Sequence, residues 1–114
     1  MTAENIDRLA GELKASYQGA LVAQDGRVTV VRLPEVGFPQ SCSPKSTEAL
    51  VSLDPGKPKP DFFLKRIPSL RGAQPQHGTI TVGGESWCTF SYNLRWNENS
   101  TAEQFVEGML RRFA

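Results

Sequence analysis

The sequence is short of soft metal ligands. It holds one histidine, His77, and two cysteines, Cys42 and Cys88, in 114 residues. The cysteines lie 46 positions apart with no Cys-x-x-Cys pair and no histidine cluster, which excludes the spacing of a structural zinc site and predicts neither metal nor other cofactor. Excess charge is missing too. Thirteen basic residues against 12 acidic ones leave a formal charge of +1, too weak a field to draw in nucleic acid or an anionic membrane. Neither is expected as a partner. Long apolar runs are also absent, and the opening stretch MTAENIDRLAGELKASY mixes acids and bases, unlike a signal peptide or a membrane anchor. The chain is therefore expected in the cytoplasm with its thiols reduced; a disulfide is the lesser alternative.

What is present suits one globular domain spanning residues 1–114. The length gives room for one core, and 39% hydrophobic with 22% charged residues argues against disorder and against a coiled coil. Ile6, Leu9, Leu13 and Tyr17 recur at helical spacing, predicting an amphipathic helix over residues 3–17. Asp25-Gly26 separates two β-rich runs, the signature of a hairpin closed by a type I′ turn. Val28 to Val31 should form a strand with one face fully buried and the other partly covered.

Residues 34–46 read as a proline- and serine-rich loop, with Cys42 exposed in it. TEALVSL then aligns Ala49, Val51 and Leu53 on one side of a third strand. DPGKPKPD, with three prolines, reads as an irregular crossover because a β-ladder does not tolerate so many missing donors. FFLKRI is a short strand, PSLRGAQPQHG a loop, and TITVGGESWCTFSY two extended runs about Gly83-Gly84. NLRWNEN reads as turn. Ser100 with Glu103 predicts a capping box for a closing helix over residues 101–113, with a stripe of Phe105, Val106, Met109, Leu110 and Phe113. Arg111 and Arg112 fall in its last turn, where cations complement the helix dipole. Phe62, Phe63, Trp87 and Trp96 are expected in the core. The predicted class is α+β: helix, antiparallel meander, proline-rich crossover, an extended segment bearing Cys88, and a helix.

That order, with LVSLDPGKPKPDFFL as strand and crossover, His77 11 residues before Cys88, Trp96 eight residues after it and Thr101 five beyond Trp96, resembles the ubiquitin-conjugating (UBC) fold. The likeness is closest to compact bacterial members that serve ubiquitin-like modification systems. It implies a transferase that accepts a ubiquitin-like protein from an activating enzyme as a thioester on Cys88 and passes it to an amine of a target protein. These three proteins would be its partners. His77-Gly78-Thr79 stands where the family has His-Pro-Asn, so His77 and Thr79 join the candidate site, with His77 in a structural role. Because Thr79 occupies the asparagine position, Asn93 becomes the candidate amide donor to the oxyanion.

Such thioester exchange is close to isoenergetic and needs an accessible thiol more than a strong base. The bland alternative for Cys88, flanked by Trp87 and Phe90, is a buried small hydrophobe. The corresponding rival function is a catalytically inactive UBC-like binding or interaction module. A Cys–His protease with His77 as base is disfavoured for want of a third group and a second lobe.

Overall fold

The computed structural model describes residues 1–114. It is an α+β structure in which two helices cover one face of an antiparallel sheet. Helix α1 spans Ala3–Ser16, one residue short of expectation. Thr2 caps it by accepting from Asn5 N at 3.1 Å, satisfying one of the orphan donors of the first turn. Its buried face is Ile6, Leu9, Ala10 and Leu13.

Strands β1 (Leu21–Asp25) and β2 (Val28–Gly37) form the expected hairpin. Asp25 pairs with Val28, so the turn residues are Gly26 and Arg27. Gly26 has φ +63° while Arg27 stays at negative φ, the signature of a type II′ turn in place of the expected I′. The aspartate closes the ladder, and only one residue has to enter the left-handed region. The I′ pattern is found instead at Gly83 (φ +57°) and Gly84 (φ +81°). They join β7 (Gly78–Val82) to β8 (Glu85–Thr89).

Strand β4 (Ser46–Leu53) pairs with both β2 and β5 (Asp61–Leu64). The prolines of residues 54–60 therefore span a hairpin between neighbouring strands, and the expected crossover is corrected to a hairpin loop. Asp54 accepts Gly56 N–H at 2.8 Å inside it, and the N-terminal ammonium donates to Pro55 O at 3.2 Å and Lys57 O at 2.6 Å. The main sheet runs β1-β2-β4-β5-β8-β7, a four-stranded meander extended by the β7–β8 hairpin. A separate two-stranded ribbon joins β3 (Cys42–Ser43) to β6 (Ser69–Leu70).

Along β2, Thr29, Val31 and Leu33 are buried while the alternate residues are half-buried, as the pleat requires. Val31, Leu33, Ala49, Val51, Leu53, Phe62 and Leu64 of the sheet join Ile6, Leu9, Leu13, Phe105, Val106, Met109 and Phe113 in a cluster of 20 buried residues. Trp87 is also buried, with 1% of its surface exposed, but outside that cluster. It lies on the opposite sheet face beneath Arg32 and Lys65, whose charged groups stand 5.4 Å and 4.7 Å from its ring.

Helix α2 spans Ala102–Leu110 and continues as a short 3-10 turn, Arg111–Phe113. Its capping box is Thr101 with Gln104, one residue beyond the expected Ser100 and Glu103. The reason lies in α1. Glu12 accepts Ala102 N–H at 2.8 Å, and Arg8, itself paired with Glu12 at 3.0 Å, donates to Ser100 O and Glu98 O. The approach to α2 is thus fixed by tertiary contacts that fall on Ser100's backbone and leave its side chain out of the cap. No helix is long and apolar enough to cross a membrane.

Cys42 is not exposed. It is 1% accessible, and its Sγ donates to Phe113 O at 3.3 Å. The closing 3-10 turn covers the loop whose composition suggested a surface.

Candidate functional site

Strand β8 carries Cys88 between two neighbours. In the register Cys88 faces Thr79 of β7 on one side and Leu64 of β5 on the other. Adjacent strand residues point to opposite faces, so with Trp87 on the outer face Cys88 turns to the helix side. There it is half-buried against the core cluster. Its Sγ lies 3.7 Å from Lys65 O, a long contact even for sulfur. Both thiols are free. Burial pushes the Cys42 thiol up, with Lys45 opposing it.

The other candidate residues are dispersed around this point. Thr79 is exposed and directly opposite Cys88. His77 is exposed one residue before β7, and its Nδ1 sits 3.1 Å from Pro75 O, a bond within its own loop. Asn93 is exposed in the irregular segment that follows β8. No hydrogen bond joins any two of Cys88, Thr79, His77 and Asn93. No group of three or more His, Cys, Asp and Glu side chains gathers anywhere in the chain.

Beyond Cys88 the chain leaves β5 and opens a cleft of about 720 Å³ between β5 and residues 89–94. Cys88 is not on its wall, whereas Asn93 is. The volume falls within the usual range for ligand clefts. Aromatic rings line it. Phe62 meets Phe90 and Phe105 edge-on at 6.1 Å and 6.0 Å, and Trp96 meets Phe105 at 5.7 Å. Trp96 Nε1 is buried and has no hydrogen-bond partner, which costs about 1–3 kcal/mol for a neutral donor. Lys59 and Arg112 stand on the rim, and neither takes part in an ion pair. A smaller polar hollow lined by Gln76, His77 and Gly78 shares Thr89, Phe90, Ser91 and Arg112 with the cleft.

The sequence held a sign of this wall. In FSYNLRW, Phe90, Tyr92, Leu94 and Trp96 are half-buried and alternate with exposed Ser91, Asn93 and Arg95. That is the period of a strand, in a segment read above partly as turn. It has no ladder partner; its only backbone bond is Leu94 N–H to Tyr92 O.

The outer sheet face has a different electrostatic character. Arg32 donates to Glu48 at 2.7 Å and to Glu85 at 2.7 Å, while Lys65 lies 3.7 Å from Glu85. The hydrogen bond from Arg32 holds the Glu85 carboxyl below its ordinary range, helped by the charges of Arg32 and Lys65. This lattice covers much of Trp87. No family model, characterised protein or solved structure matches the chain.

Proposed function

We propose that this chain is a catalytically silent module of UBC-like architecture that binds a ubiquitin-like protein or a related partner without forming a thioester. The observation that carries the reading is the setting of Cys88. Its residue pairs with Leu64 on one side and Thr79 on the other, its side chain packs against the core, and no donor side chain is hydrogen-bonded to it. Thioester exchange requires the thiol to attack a carbonyl carbon while the activating enzyme's thiol leaves, and the tetrahedral oxyanion then needs a donor within about 3 Å. Asn93, the candidate donor, lies on the wall of a cleft that Cys88 does not line. The UBC-like part of the reading is supported by the order of helix, four-strand meander and closing helix.

A conjugating enzyme working through Cys88 is the second reading, favoured by Cys88 being half-buried and not fully buried. The two part in one assay. With a ubiquitin-like protein, its activating enzyme and ATP, the silent module forms no reducible adduct. An adduct that Cys88→Ala abolishes establishes the enzyme instead. On the silent reading, Cys88 in the native protein also reacts with iodoacetamide much more slowly than a free thiol.

A further inference from the structure

The cleft beside β5 ends a β-ladder early. Lys65 donates its N–H to Glu48 O at 2.9 Å, so along β5 the backbones of Lys65, Phe63 and Asp61 turn to β4, and those of Leu64 and Phe62 turn the other way. Leu64 meets Cys88 on that side. The next rung would join Phe62 to Phe90, but Phe90 makes no backbone hydrogen bond and the ladder stops at a single pair. Phe62 lines the cleft, and no strand pairs with it on that side.

Charge at the cleft adds a second feature. Asp61 is engaged by Lys57 at 2.7 Å, which leaves Lys59 and Arg112 as the uncompensated charges among the lining residues. An added strand supplies backbone groups to Phe62, alternate apolar side chains to the rings of Phe90 and Trp96, and a carboxylate to the rim.

We infer that the cleft between β5 and residues 89–94 binds an extended peptide segment bearing an acidic side chain, docked as an additional strand on Phe62. This deepens the proposed function and rests on it, since it assigns the module's binding surface to the cleft and the ligand to an acidic linear segment of a partner protein.

The test pans the intact chain against a phage-displayed library of random linear peptides. Enrichment of peptides with an acidic residue beside alternating apolar positions is expected. Binding of an enriched peptide, followed by fluorescence anisotropy, weakens about three- to fivefold in Lys59→Ala or Arg112→Ala, as an exposed ion pair predicts, and weakens with added salt. Methylating the backbone nitrogen of a central peptide residue abolishes binding, and the peptide shifts the amide signals of Phe62 and residues 89–94. The inference is overturned if no acidic peptide is enriched, if binding survives backbone methylation at every position, or if the shifts fall on β1 and β2 instead. Those outcomes leave the silent-module reading standing. That reading falls separately, to a reducible adduct on Cys88.

Discussion

Cys42 Sγ donates to the carbonyl oxygen of Phe113 across 3.3 Å, joining residues 71 apart in the sequence. The bond ties the β3–β6 ribbon to the last turn of the chain. Phe113 is completely buried and packs edge-on against Phe38 at 5.5 Å, so thiol and ring together close the end of the core.

The first prediction concerns this closure. Cys42→Ala removes a buried sulfur and orphans a carbonyl, and the stability loss read by urea denaturation is expected to be about 1–3 kcal/mol. In the native protein Cys42 stays unreactive toward Ellman's reagent, since burial both shields the thiol and raises its pKa. Rapid native labelling of Cys42 would contradict the closure.

Acid should uncover Trp87. The Glu85 carboxyl is held below its ordinary value of 4.5 chiefly by the hydrogen bond from Arg32. A depressed carboxylate contributes stability above its unfolded pKa, and that contribution is lost as pH falls through the folded value. Below pH 4.5, Arg32 is therefore released from Glu85 and its stacking on the indole weakens. Tryptophan emission measured in a Trp96→Phe background, where Trp87 is the sole indole, is expected to change in that range. In Glu85→Gln, where only the contact with Glu48 remains to Arg32, the same change should be smaller.

Alkali acts on the other side of the molecule. Tyr17, at the end of α1, has its pKa pushed from 10.0 up to about 12, by burial first and then by the charges of Glu107 and Glu103 on α2. A raised pKa means that the native state holds its proton longer than the unfolded chain. Stability is therefore complete below pH 10 and falls as pH rises towards about 12. Urea midpoints collected across this window should decline in the parent protein and decline less in Tyr17→Phe.

Gly108 of α2 is a seat for Leu94. A Cβ placed there would lie 2.7 Å from Leu94 Cδ1 and 3.0 Å from Cδ2. Gly108→Val is expected to cost about 1–3 kcal/mol through overpacking. Adding Leu94→Ala should recover part of that loss, giving a favourable coupling in the double-mutant cycle. Independent, additive effects would show that residues 89–94 do not rest on the helix as described.

Both helices were legible from local pattern because the residues of each apolar stripe lie within a few positions of one another. The hairpin at Gly26 was legible for the same reason, though its turn type was set by how Asp25 pairs with Val28. Cys42 was misread because Pro39, Ser41, Ser43 and Pro44 resemble a surface loop, and its cover comes from the far end of the chain. The start of α2 moved by one residue because Arg8 and Glu12, some 90 positions earlier, hold its approach. The cleft was hidden in FSYNLRW: the alternation was visible, but not the absence of a partner strand. Cys88 stood out as a chemical group, whereas its orientation depends on ladder register, which spacing alone does not fix.

The single rung between Leu64 and Cys88 also divides the sheet mechanically. On the meander side β2 and β4 share a long ladder; on the far side the β7–β8 hairpin hangs by one pair, with β7 almost wholly exposed. Such a flap detaches as a unit at a lower free energy than the body to which it is hinged. Its amides should trade hydrogen for deuterium before those of β2 and β4, and the indole wedge at Trp87 acts as the latch that sets how often it swings free.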